Sequence, residues 1–177
     1  MAKRASIQQV NKAADGPRGA GSITLKFTLI YPVYSRRDVE YKVLIAGMLN
    51  ELVHKGQLVI YGYLITATEL YLVPACEKKD IGAIQKLVAD ALRKIIRRDK
   101  GAGTAITKVI DLYPADLRAT MMEDAQVTSL LTGGKLKSPY NNYYYVKLQK
   151  QVQTEEFSSA IEYIGGVGPV VTICKPN

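Results

Sequence analysis

The chain of 177 residues has no tryptophan, one histidine and two cysteines. Each scarcity removes a class of chemistry. A single histidine, His54, cannot supply a pair of imidazole ligands, so the H-E-x-x-H protease pattern is excluded. Near the end of an expected helix, it reads as a surface or capping residue rather than a general base. Cys76 and Cys174 lack zinc-binding spacing, and a chain of this size needs no disulfide staple. They point to a reduced, intracellular setting, cytoplasmic or nucleoid-associated, with a pairing of the two in space left open. Lys78 and Lys79 near Cys76 would lower its thiol pKa, but no histidine is placed by pattern to activate it.

No run of about eighteen apolar residues exists, so no membrane span is expected. The opening MAKRASIQQVNKAADG lacks the apolar stretch of a secretory signal. There is no G-x-x-x-x-G-K-[ST] loop and no G-x-G-x-x-G opening a helix. Gly101-Ala102-Gly103 follows a helical pattern and reads as a cap and turn, as does Gly165-Gly166-Val167-Gly168. The acids are scattered, and neither Glu69 with Glu77 nor Asp111 with Asp116 has metal-binding spacing. No catalytic residue, metal ligand or cofactor is assigned, and no enzyme class is indicated.

What is present is positive charge, unevenly placed. The formal net charge is +8. Residues 1–21 hold Lys3, Arg4, Lys12 and Arg18 against Asp15. Residues 78–100 hold eight cations against Asp80, Asp90 and Asp99, and the remainder of the chain sums to zero. A basic arm with a basic helix is the electrostatic footprint of a polyanion binder. The competing account is ordinary helix electrostatics. Cations near a helix C-terminus complement the macrodipole, and Asp90 pairs with Lys86 or Lys94 on a solvated face. That account covers Arg97 and Arg98 but not the arm.

The segment Asp80–Lys100 is strongly amphipathic. Ile81, Ile84, Leu87, Val88, Ala91, Leu92, Ile95 and Ile96 form one stripe, with Lys86, Arg93 and Arg97 opposite. Ahead of it, SITLKFTLIYPV alternates as a half-buried strand ended by Pro32. A helix is expected from Ser35 or Asp38 to His54, with Val39, Val43, Ala46, Leu49 or Asn50, and Val53 as a seam and Gly56 as its cap. Gln57–Thr66 and Glu69–Ala75 read as adjacent antiparallel strands, and Ala105–Tyr113 as another. The order β-α-β-β-α-β predicts an α+β, ferredoxin-like antiparallel sheet with both helices on one face. The expected organisation is a flexible basic arm (1–21), a ferredoxin-like core (22–114) and a C-terminal α/β extension (115–177). That extension would cover the open sheet face, lengthen the sheet or meet a partner. Within it, Leu117–Leu131 reads as a helix, Tyr143–Val152 as a strand and Glu155–Ile164 as a helix capped by Thr154. Val170–Lys175 reads as a final strand.

The aromatic residues are 12 tyrosines and 2 phenylalanines. Tyr140, Tyr143, Tyr144 and Tyr145 cluster with Asn141 and Asn142, beside Lys137, Lys147 and Lys150. Tyrosine among lysine and asparagine suits base stacking with phosphate contacts. Packing in the core or at a subunit interface is the alternative for the same residues.

The rhythm of YGYLITATELYLVPACEKKDIGAIQKLVADALRKI, within residues 23–98, resembles the scaffold of single-tyrosine transposases and related HUH nucleases. In that family the second of the paired strands carries His-hydrophobe-His for a divalent metal. Here Thr68-Glu69-Leu70 stands in that place, so the resemblance implies a non-cleaving relative that keeps a DNA-binding scaffold. No tyrosine carries over as a nucleophile. The element order is also similar to that of RNA-recognition-motif domains, which stack bases on first- and third-strand aromatics, here near Phe27 and Tyr71. The glycine-aromatic signature of that family is missing from Glu69-Leu70-Tyr71-Leu72-Val73.

The expected function is non-catalytic binding of nucleic acid, single strands favoured. Lys3, Arg4, Lys86, Arg93, Arg97, Arg98 and Lys147 would meet phosphates, and Tyr143, Tyr144 and Tyr145 would stack bases. A homo-oligomer is expected. The rival is a self-assembling coat or nucleoprotein subunit, found in a virion, whose basic arm touches the packaged genome.

Overall fold

The computed structural model describes residues 23–29, 38–99, 117–135, 142–166 and 171–175. Strand β1 (Ile23–Leu29) follows its alternation: Ile23, Leu25, Phe27 and Leu29 are buried on one side, while Thr24 and Lys26 point to the other. Helix α1 (Asp38–His54) comes next, and Gly56 follows it at φ +67, a left-handed conformation that glycine adopts without a Cβ penalty. Strands β2 (Ile60–Ile65) and β3 (Glu69–Pro74) form a hairpin. Its turn is held by Thr66, whose hydroxyl accepts the Glu69 N–H at 3.0 Å. A short 3₁₀ turn (Lys78–Asp80) leads into α2 (Ile81–Asp99).

The fourth described strand, β4, is Leu117–Glu123; the strand expected at Ala105–Tyr113 lies outside the described residues. The sheet order is β2-β3-β1-β4, with every neighbouring pair antiparallel. The helix expected over Leu117–Leu131 therefore divides. Its first half pairs along all of β1, from Ile23 opposite Glu123 to Leu29 opposite Leu117. Leu, Arg, Ala and Met favour helix, but the ladder to β1 overrides propensity. Asp124 then caps α3 (Ala125–Leu131), its carboxylate accepting the N–H groups of Gln126 at 2.9 Å and Val127 at 3.2 Å.

One side of the sheet packs on α1 and α2. The α2 stripe is as expected from Ile81 to Ile95: Ile81, Val88 and Leu92 are buried, with Ile84, Leu87, Ala91 and Ile95 packed at the margin, and the Ile96 side chain lies outside the described residues. The α1 seam holds in its second half: Ala46 and Leu49 are buried and Val53 packs at the margin. In its first half Val39 (65% exposed) and Val43 (51%) face outward, and Ile45 and Leu52 join the buried face. This helix is apolar nearly all round, so periodicity gives little direction to its inner face.

The C-terminal extension covers the other side. Val127, Leu130, Leu131, Leu148, Val152 and Ala160 meet Leu64, Tyr71 and Val73 of the sheet. Tyr143–Thr154 is helix α4, not the expected strand. Tyrosines favour strands, but Asn142 accepts the Tyr144 N–H at 3.1 Å, and Leu148 and Val152, one turn apart, share one buried face. Thr154 ends this helix, so it is not the cap of a following one. The next helix, α5, is only Ala160–Tyr163. The residues before it lie along the β2 edge, where Ile65 N–H donates to the Phe157 carbonyl at 2.9 Å and Ser159 N–H to the Tyr63 carbonyl at 3.0 Å. Residues 171–175 form no strand, although Cys174 N–H reaches the Ile60 carbonyl at 2.8 Å. The β2 edge is thus closed by the chain itself.

Ser159 joins the layers. Its buried hydroxyl accepts the Tyr63 N–H at 2.7 Å and donates to the Leu131 carbonyl at 2.7 Å. Gly62 permits this approach, since a Cβ there would meet the Leu131 carbonyl oxygen at 2.9 Å. Among the described residues no helix is long and apolar enough to cross a membrane.

Candidate nucleic-acid interface

The outer face of α2 carries the first candidate surface. Lys86, Arg93 and Lys94 are all exposed. Asp90 pairs with Arg93 at 2.8 Å, rather than with Lys86 or Lys94 as expected. Among the described residues Lys86 and Lys94 make no ion pair. Nearer the N-terminus of α2, Lys78 reaches Glu123 at 2.6 Å and Lys79 reaches Glu77 at 2.7 Å. Lys86 and Lys94 are therefore the described cations of α2 without a carboxylate partner. Arg97 and Arg98 belong to α2, but their side chains lie outside the described residues, as do Lys3 and Arg4.

Helix α4 carries the second surface and divides the tyrosine cluster. Tyr143 is 80% exposed, and Val146, Lys147 and Lys150 share its outer face at i+3, i+4 and i+7. Tyr144 and Tyr145 turn inward and are occupied. Tyr145 donates to Asp124 at 2.8 Å, which secures α4 to the cap of α3. Tyr144 donates to the Tyr71 hydroxyl at 3.4 Å, and Tyr71 donates to Glu69 at 3.0 Å. Glu69 also holds Lys26 at 2.6 Å, and the Lys26 ammonium lies 5.1 Å from the Tyr71 ring centre and 5.9 Å from that of Tyr144. A cation beside two ring faces and a carboxylate is a satisfied, inward-facing network.

This network does not suit covalent chemistry. Burial pushes the Tyr71 and Tyr144 phenols well above their ordinary range, and for Tyr144 the hydrogen bond it donates to Tyr71 adds to the effect. Both are neutral at physiological pH, which is the weakly nucleophilic form. The Tyr145 phenol is raised by its hydrogen bond to Asp124. Cys76 departs from its expectation: burial and the nearby Asp80 push its thiol up, while Lys78 and Lys79 are engaged by acids. Cys76 and Cys174 are both free thiols. No cluster of three or more potential metal ligands exists among the described residues.

Phe27 and Tyr71, the base-stacking positions by analogy with RNA-recognition motifs, are both buried, Phe27 under the α1–α2 layer and Tyr71 under the C-terminal layer. The sheet face that such domains leave open is covered here. The structure also separates the residues that sequence grouped together. Lys86 and Arg93 lie on the outer side of one helix layer, and Tyr143 and Lys147 on the outer side of the opposite layer. The Lys26–Glu69–Tyr71–Tyr144 network was not foreseen. Only the alternation of Lys26 in β1 and of Glu69 and Tyr71 in β3 hinted at a shared face. Compared with known proteins, the chain matches no family model, no curated protein and no solved structure.

Proposed function

We propose that this protein binds nucleic acid without cleaving it, and that it favours single strands. The observation that carries the reading is the segregation of charge: the whole surplus lies in residues 1–21 and 78–100, and the described cations of the second segment are at the surface. On this reading Lys86, Arg93 and Lys94 meet phosphates, assisted by Arg97, Arg98, Lys3 and Arg4, while Tyr143 offers a ring for stacking beside Lys147. Tyr144 and Tyr145 hold α4 in place instead of meeting ligand. The sheet is proposed to be of the ferredoxin-like type, supported by its order β2-β3-β1-β4 and its fully antiparallel pairing. Kinship to the HUH scaffold is part of the proposal, with Thr68-Glu69-Leu70 in the metal-binding place and no cleavage.

Binding of labelled single-stranded DNA, single-stranded RNA and duplex across a salt series tests the reading. Affinity should fall linearly on a log–log plot, by about 0.7 per phosphate neutralised on a single strand. Lys86→Glu with Lys94→Glu should weaken binding and flatten the slope. Affinity at low salt no better than that of a neutral control protein would refute the reading.

One observation favours a second reading, a self-assembling subunit. Val39, Val43 and Leu44 expose three large aliphatic side chains on α1. A large homo-oligomer formed without nucleic acid, measured by light scattering, would favour it.

A further inference from the structure

We propose that the protein joins two nucleic-acid segments, holding one on the outer face of α2 and the other on the outer face of α4. The inference rests on the nucleic-acid reading above and assigns the α4 surface, already part of that reading, to a separate segment.

The second surface has its own chemistry. Helix α4 contains Lys147 and Lys150 and no acidic residue, and Glu155 just past its end is held by Lys42 at 2.7 Å. Tyr143 stands one turn before Lys147, at 80% exposure. A ring so exposed contributes little to the core, and its π-face is available to a base. Val146, 48% exposed, lies between Tyr143 and Lys150 on the same face. A stacked base with phosphates on Lys147 and Lys150 uses all of these groups. The α2 surface has no described aromatic among its outward residues, so it suits the backbone rather than bases.

The two surfaces point in opposite directions. The sheet lies between them, with α1 and α2 on one side and α3 and α4 on the other. Each helix layer is about 10 Å thick, so a short oligonucleotide lying on one face does not reach the other. Filling both takes two segments.

A capture assay tests this. A short single-stranded oligonucleotide tethered to beads is loaded with the protein and washed, and a second, labelled, non-complementary oligonucleotide is added. The wild-type protein should retain the label. Tyr143→Ala with Lys147→Ala and Lys150→Ala should still load through α2 but reduce retained label by roughly ten-fold or more. Lys86→Ala with Lys94→Ala should also reduce it. These positions are on the surface, and unchanged thermal transitions would confirm that the variants fold. Loaded wild-type protein that retains no label would overturn the bridging proposal alone. So would full retention by either variant, which would mean one face used twice by an associated pair. Wild-type protein that never loads would overturn the nucleic-acid reading as well.

Discussion

The two sides of the sheet are built differently. On the α1–α2 side the strands present Leu25, Phe27, Ile65, Leu70 and Leu72 to an almost wholly aliphatic layer. On the C-terminal side the apolar contacts surround a polar lattice: Thr24 with Thr128, and Lys26 with Glu69, Tyr71 and Tyr144. Apolar layers form from any well-shaped hydrophobic surface, whereas a polar lattice is stable only when every member meets its partner. The first side is therefore tolerant and the second exacting.

The sharpest attempt to break this contrast removes one large side chain from each layer. Phe27→Ala should cost about 3–5 kcal/mol and Leu130→Ala about 2–5 kcal/mol, measured by urea denaturation. Both layers share the same strands, so both variants should unfold in one transition. A separate early transition for Leu130→Ala would show that the C-terminal layer is an independent addition. The next effect is smaller. Ser159→Ala should cost about 1–3 kcal/mol, because it leaves the Tyr63 N–H and the Leu131 carbonyl buried without this partner. A change near zero would mean that water replaces the hydroxyl.

The last effect emerges only at alkaline pH. Tyr71 and Tyr144 are raised in the folded state, and burial pushes Tyr163 up to about 12. A phenol raised on folding binds its proton more tightly in the native state. Its stabilising contribution is complete below the unfolded value near 10 and is lost as pH rises through the folded value. Thermal stability should decline from about pH 10 upward. Tyr144→Phe should soften that decline, since it removes one of the raised phenols. An identical alkaline profile for the variant would detach the lattice from this behaviour.

The contrast also explains what could be read from sequence. The α2 stripe and the β1 alternation were legible, because each buries a face against an aliphatic layer and the period alone reports it. Lys86 and Arg93 were legible as outward cations for the same reason. The α1 seam was legible only at Ala46, Leu49 and Val53, since Val39 and Val43 are as apolar as the residues that are buried. The boundary at Asp124 was missed because residues 117–123 favour helix and yield only to the ladder with β1. The roles of Tyr144 and Tyr145 depend on partners at Tyr71 and Asp124, which no local pattern connects to them.

The closure of the β2 edge by Phe157–Ser159 has a consequence for synthesis. Every described sheet strand ends by residue 123, yet the segment that covers the edge and joins the layers comes after them. While the chain is being made, β2 presents unpaired backbone groups, and Leu64 and Val73 lack their cover until α3 and α4 have emerged. Unpaired edges and exposed apolar surface are what bring partly made chains together. A chain that stops short of Phe157 keeps that vulnerability for good.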